Sequence, residues 1–210
     1  MKLTEIKKLC KASGCVILID EAPKEPDTSP EELLEMLTED MDEDRVPTLP
    51  RQWISDGVAC YTLDGMPYLD ESSICAIFDI DSKKLAKMTV THQPSLPEGM
   101  DFSDHHREDD PLEQLDLQMS LGGNALYLFR DGAGALVMIK EAYCKPFEGW
   151  DECECYKRVD GAGRPCLAVM SGCILRGLIY PYKVGETLME TLGEVYNAAG
   201  VAAEQEKMKL

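Results

Sequence analysis

The chain has 210 residues, with 39 acidic against 21 basic side chains and a formal net charge of −18 at pH 7. This length suffices for a hydrophobic core, and an apolar fraction of 44% argues against global disorder. The net charge opposes direct binding to nucleic acid or to an anionic membrane, and no apolar run approaches the ~20 residues of a membrane-spanning helix. The amino-terminal residues lack the apolar region and cleavage site of a signal peptide, so we expect a cytoplasmic protein.

The negative charge is concentrated in two stretches of the chain. Residues 20–45 hold twelve carboxylates and two basic side chains, and residues 101–116 hold seven carboxylates and one basic side chain. Together these 42 residues carry −16 of the −18. We call residues 20–45 and 101–116 the first and second acidic stretch.

The first 91 residues predict a mixed α/β half. Residues 3–13 have the apolar spacing of a short helix that ends at Gly14, and the apolar run 15–19 is typical of a buried strand. Residues 22–50 then form an acidic insertion. Within it, Ser29 and the residues after it predict an N-terminal cap and the first turn of a second helix.

Further turn signals follow the insertion. Asp56-Gly57 predicts a hairpin within residues 53–61, because this pair suits a tight turn with positive φ. Asp70 predicts the cap of a helix, although the run 74–80 also fits a strand. A strand is expected at 88–91. Residues 92–114 are rich in proline and charge, which predicts an acidic linker or a long loop.

The C-terminal part, residues 115–210, contains a short repeat. Asp131-Gly132-Ala133-Gly134 recurs as Asp160-Gly161-Ala162-Gly163, and strand-like runs flank both copies. This predicts an antiparallel β-meander of about five strands followed by a helix near residues 186–199. The expected fold is therefore α+β, with a C-terminal β-meander packed by helices and a mixed α/β N-terminal half. The sequence leaves open whether the halves are separate or one continuous domain.

Nine cysteines, an odd number in a chain without a secretion signal, favour reduced and mostly buried thiols. Cys153 and Cys155 are the closest pair, and residues two apart on a strand face the same side. An inert buried pair is the favoured interpretation, so no cofactor is expected. The alternative is a zinc ion in a cysteine–metal enzyme, with the remaining ligands drawn from Cys144, Cys166 and Cys173.

Motifs of other catalytic sites are absent from the sequence. Three histidines leave few bases for nucleophilic catalysis, and there is no Gly-x-Ser-x-Gly, Walker or dinucleotide-binding glycine motif. His105-His106 lies in an acidic loop, and His92 has no partner that the sequence identifies. A non-enzymatic protein is therefore the favoured class.

The leading hypothesis is a protein-interaction or regulatory module that binds a basic protein surface. Its expected binding residues lie within residues 25–45, with 101–116 as a second candidate region, and Trp53 would act as an aromatic anchor if exposed. The alternatives are that the carboxylates only solubilise the protein and that Trp53 belongs to the core. The residues predicted to contact the partner are Glu32, Glu35, Glu39, Asp40, Asp42, Asp44 and Trp53.

A second hypothesis concerns DNA. Residues 14–22 and 134–142 are weakly similar, which suggests a repeat of about 120 residues, and the expected fold places helices on an antiparallel sheet. In these features and in its acidity the chain resembles DNA sliding clamps, which implies basic helices that face DNA. Nucleic acid is otherwise not an expected partner. The lysines concerned are Lys2, Lys7, Lys8, Lys11, Lys83, Lys84 and Lys87.

Residues 63–69 and 74–80 resemble uncharacterised proteins of Gram-positive gut bacteria and their phages. This resemblance implies a bacterial or phage origin and no particular function. The sequence indicates no oligomeric state.

Overall fold

A computed structural model describes residues 1–21, 51–104, 109–185, 188 and 191–195. The helix predicted after Ser29, the six carboxylates predicted to bind a partner, and the pair His105-His106 lie outside these residues.

The described residues form short helices and a larger number of strands. The helices are α1 (Leu3–Ser13), α2 (Glu71–Ile77), α3 (Ser82–Leu85) and α4 (Glu141–Cys144), with a 3₁₀ helix at Trp150–Glu152. The strands are β1 (Cys15–Asp20), β2 (Gln52–Ser55), β3 (Ala59–Thr62), β4 (Thr89–Gln93), β5 (Asp110–Pro111), β6 (Glu113–Leu121), β7 (Asn124–Arg130), β8 (Leu136–Lys140), β9 (Glu154–Val159), β10 (Pro165–Ser171) and β11 (Ile174–Ile179).

Within the described part of the chain, eight strands form one sheet in the order β4-β1-β2-β3-β11-β10-β9-β5. Strands β6, β7 and β8 form a second, antiparallel sheet. The predicted α+β class is confirmed. The large sheet contains strands from both halves, joined where β3 pairs with β11 and Cys60 lies opposite Leu178.

The strands of the predicted β-meander are present but are shared between the two sheets. After β8 the chain enters α4, where Tyr143 and Cys144 are buried, and then Phe147 enters the same core. Gly149, with φ 64°, starts the 3₁₀ helix that leads into β9. These buried side chains hold the connection against the large sheet, and the chain therefore changes sheets between β8 and β9.

The side chains of β1 alternate between two buried clusters, one on each face of the large sheet. Val16 and Leu18 pack with α1 and α2 in the main core. Ile17 and Ile19 pack on the opposite face with Trp53 and Phe102. Side chains of a strand alternate between its two faces, so β1 is covered on both faces of the sheet. Its continuous apolar run predicted this burial.

Local signals for turns and caps are confirmed in the N-terminal half. Helix α1 ends at Gly14, which has φ 71°. The Asp56 carboxylate accepts hydrogen bonds from the N–H groups of Val58 and Ala59 and so closes the hairpin between β2 and β3. Asp70 caps α2 by accepting the N–H of Ser73. The ambiguous run 74–80 is thus helical at its beginning.

Residues 94–104, which follow β4, form a long loop segment that lies on the large sheet. Phe102 is 2% exposed, and its ring meets that of Trp53 edge-on at 4.9 Å. The guanidinium of Arg158 in β9 donates to the carbonyl oxygens of Asp101, Ser103 and Asp104. These bonds fix the path of the loop across the sheet.

At the C-terminal end of the described residues, positions 191–195 are helical, within the predicted terminal helix. Leu192 packs against Leu126 and Met138 of the small sheet. Among the described residues, no helix is both long and apolar enough to cross a bilayer.

The two Asp-Gly-Ala-Gly segments are equivalent hairpin turns. Asp131 accepts the N–H groups of Ala133 and Ala135, and Asp160 accepts those of Ala162 and Arg164. The repeat therefore serves turn formation, because each aspartate supplies the acceptor that orders its own loop.

Replacing Asp160 with Asn is expected to make protein stability less dependent on pH in acid. The N–H of Arg164 is the main cause that holds the pKa of Asp160 below its ordinary value, and the Tyr180 hydroxyl adds to it while burial opposes it. Because the pKa is lower in the folded state, the carboxylate stabilises the fold above the unfolded pKa of about 3.9, and this is lost as the pH falls.

Urea denaturation between about pH 5 and pH 2 measures this effect. The exposed Asp151→Asn is the control, since it removes one carboxylate without such hydrogen bonds. Parallel pH curves for wild type and Asp160→Asn would contradict the expectation.

Candidate interaction surface

The two ends of the acidic insertion are held together at one end of the large sheet. Asp20 in β1 lies opposite Gln52 in β2, and one step further the N–H of Glu21 donates to the carbonyl oxygen of Arg51 at 2.9 Å. The chain therefore leaves the sheet at Glu21 and returns to it at Arg51, immediately before the adjacent strand β2.

Arg51 connects this point to the second acidic stretch. Its two terminal nitrogens donate to the two carboxylate oxygens of Asp104, each at 2.8 Å, and its Nε lies 3.5 Å from the Glu21 carboxylate. Burial alone would lower the pKa of Arg51, but its hydrogen bonds to the Asp104 carboxylate and the charge of Glu21 raise it overall. The Arg51 side chain is only 10% exposed. The base of the insertion thus contains two carboxylates and one nearly buried cation.

Trp53 supports this base from inside the protein. It is fully buried, its Nε1 donates to the Glu21 carboxylate at 3.0 Å, and Arg51 lies over its ring at 5.8 Å from the centroid. The indole is therefore not exposed for a partner to contact, unlike the anchor that the sequence suggested. The reason is its place in β2, an inner strand whose residues are all buried.

A cluster of polar side chains that the sequence did not reveal lies beside the base. The Asp20 carboxylate accepts the Tyr68 hydroxyl at 2.6 Å and a Gln52 amide hydrogen at 2.9 Å, and its Oδ2 lies 2.9 Å from His92 Nε2. Burial would raise the pKa of Asp20, but the hydrogen bonds from Tyr68, His92 and Gln52 outweigh it and lower the pKa. His92 therefore has partners.

This cluster depends on a pairing between distant segments. Asp20 ends β1, and His92 lies near the end of β4, the strand that runs parallel to β1. The sequence does show a polar residue at or near the end of each of these strands. This pattern predicts the contact between Asp20 and His92 only when the parallel pairing of β1 with β4 is known.

In the described part of the chain, no group of three or more His, Cys, Asp or Glu side chains is arranged to hold a metal ion. Cys144 lies close enough to Cys153 and Cys155 for their charges to interact, whereas Cys166 packs on the other face of the large sheet and Cys173 is exposed. Burial raises the pKa of Cys155 to about 12. Such a thiol stays protonated at neutral pH and is a poor nucleophile.

Two lysines of the DNA hypothesis, Lys7 and Lys84, meet at Asp79. Lys7 in α1 pairs with the Asp79 carboxylate and donates to the Ile77 carbonyl oxygen at 3.1 Å, and Lys84 donates to the Asp79 carbonyl oxygen at 2.6 Å. Lys8 pairs with Glu5 in its own helix. The structure brings the two lysine groups together, but carboxylates offset part of their charge.

In comparisons with protein-family models, with curated proteins and with solved structures, the chain matches none of them.

Proposed function

We propose that the protein is a non-enzymatic interaction module that binds a basic protein surface through one acidic region to which both acidic stretches contribute. The contact between Arg51 and Asp104 carries this proposal, because it ties the end of the insertion to the second stretch. Two carboxylates that lie far apart in the sequence, Glu21 and Asp104, therefore share Arg51 at one end of the large sheet.

The electrostatics of the base favour a cationic partner. Arg51 is shared between Glu21 and Asp104, which leaves an excess of negative charge at the base. Charge concentrated in this way accelerates association with an oppositely charged surface by roughly 10- to 1,000-fold at low salt. The effect falls with ionic strength, since the screening length is only about 8 Å at physiological salt.

Other features agree with this proposal. Lys7 and Lys8 are paired with carboxylates, which disfavours the helical lysines as a nucleic-acid contact. All nine cysteines are free thiols, and this fits the cytoplasmic location that we include in the proposal.

Neutralising the insertion is expected to weaken binding of a labelled 20-residue lysine-rich peptide by at least about tenfold at low salt. The variant replaces six carboxylates by their amides, and fluorescence anisotropy at low and physiological salt measures the dissociation constant. The six residues replaced are Glu32, Glu35, Glu39, Asp40, Asp42 and Asp44.

A matched variant removes the same charge from exposed carboxylates outside both stretches. It separates a specific acidic region from the general attraction of an acidic protein. Equal weakening by the two variants would contradict the proposal, since net charge alone would then determine binding. The control residues are Glu71, Glu98, Asp151, Glu152, Glu154 and Glu194.

A further inference from the structure

An open groove of about 780 Å³ lies on the face of the large sheet opposite α1. Its floor is apolar and consists of Ile17 and Ile19 from β1, Val58 from the turn before β3, and Leu178 from β11. Met100 from the long loop also lines it. The volume falls within the ~300–1,000 Å³ of typical small-molecule sites, which are likewise mostly apolar with a few polar groups.

The charge of the groove is opposite to that of the chain. Its lining includes Arg164 and Lys183, and no Asp or Glu is among the described residues that line it. The chain as a whole has 39 acidic and 21 basic side chains, so a lining that is only cationic departs from its composition. Within the described residues Lys183 forms no ion pair, and its side chain is exposed.

Arg164 is held in position at the polar end of the groove. Its Nε donates to the Asp160 carboxylate at 2.7 Å, and the Tyr180 hydroxyl donates to the same carboxylate at 2.8 Å. The Arg164 side chain is still 63% exposed, and a guanidinium has five hydrogens to donate. Asp160 offsets its formal charge, so Lys183 supplies the net positive charge while Arg164 supplies further donors.

The sheet beneath the groove does not suit a peptide. Strand β1 is paired on both sides, with β4 and β2, and β3 is paired with β2 and β11. The floor therefore offers no free strand edge, and a peptide lying on it would bury backbone N–H and C=O groups without partners. An alkyl chain has no such groups.

We propose that this groove binds a fatty acid as its carboxylate anion. The alkyl chain lies on Ile17, Val58 and Leu178, and the carboxylate is bound by Lys183 and Arg164. This site is separate from the acidic region and adds a small-molecule ligand to the proposed function.

The test is isothermal titration calorimetry of the full chain with decanoate at neutral pH. Saturable 1:1 binding is expected, with a dissociation constant of about 100 µM or tighter. Lys183→Glu is expected to weaken it at least about tenfold, because it replaces a charge-assisted contact by a repulsive one. Lys83→Glu makes the same charge change on α3, outside the groove, and is expected to leave the affinity unchanged.

Two further measurements test the two ends of the ligand. 1-Decanol, which has the same alkyl chain and no charge, is expected to bind at least about tenfold more weakly than decanoate. Val58→Asp, with its folding checked by the thermal midpoint, is expected to abolish binding because it places a carboxylate under the alkyl chain.

Absence of saturable binding below about 1 mM would overturn the proposal. Equal affinity for decanol would also overturn it, as would equal effects of Lys183→Glu and Lys83→Glu. The exposed position of Lys183 keeps the test decisive even if Val58→Asp does not fold.

Discussion

Replacing Arg158 with Ala is expected to lower the free energy of unfolding by about 3–5 kcal/mol, the usual cost of breaking a buried ion pair. Arg158 is 4% exposed, and its Nε and Nη2 donate to the Asp109 carboxylate at 2.9 and 2.7 Å. Its Nη1 donates to the Ser103 carbonyl oxygen at 2.6 Å. The substitution leaves the Asp109 side chain, which is only 5% exposed, as a buried charge without this partner.

Urea denaturation followed by circular dichroism measures this loss. Lys8→Ala is the control, because the Lys8 side chain is 71% exposed, its partner Glu5 is 25% exposed, and exposed ion pairs contribute at most about 1 kcal/mol. The double variant Arg158→Met with Asp109→Leu is expected to recover part of the stability, since it removes both buried charges together but does not restore the hydrogen bonds to the loop carbonyl oxygens. A loss below about 1 kcal/mol for Arg158→Ala would show that the pair does not hold the loop.

Replacing Trp53 with Ala is expected to cost about 3–5 kcal/mol of stability, as for other large aromatic side chains removed from a core. Trp53 is fully buried and contacts the ring of Phe102, so its loss leaves a cavity beneath the base of the acidic insertion. If Trp53 were an exposed anchor, its replacement by Ala would instead weaken partner binding and leave the stability of the fold almost unchanged.

Chemical denaturation separates these two roles. Tyr68→Ala is a suitable control, because Tyr68 is 66% exposed and its removal leaves no cavity. Trp53→Phe is expected to recover part of the lost stability while removing the hydrogen bond to Glu21. If Trp53→Ala were as stable as Tyr68→Ala, the indole would not belong to the core.

The elements predicted from local sequence agree well with the structure. Gly14 ends α1, Asp56 closes a hairpin and Asp70 caps α2, because each side chain or φ angle acts within a few residues of its own position. The repeated turns at Asp131 and Asp160 belong to the same class. Hydrogen bonds of this kind can be inferred from spacing alone.

Contacts between distant segments could not be inferred in this way. The contacts of His92 with Asp20, of Arg51 with Asp104 and of Arg158 with Asp109 each depend on which strands and loops become neighbours. Burial of Trp53 has the same origin, since it follows from the inner position of β2. The sequence therefore predicts the charge of the candidate surface. The arrangement of the residues at its base depends on long-range pairings that the sequence does not predict.

The hydrogen bond between Glu21 and Arg51 also bears on how the chain tolerates change over evolution. Because β1 and β2 are antiparallel neighbours up to this point, a short turn would join them as well as residues 22–50 do. Doubling the length of such a connection costs only about 0.6 kcal/mol of closure entropy. We therefore expect the pairing of β1 with β2 to tolerate changes in the length of this connection.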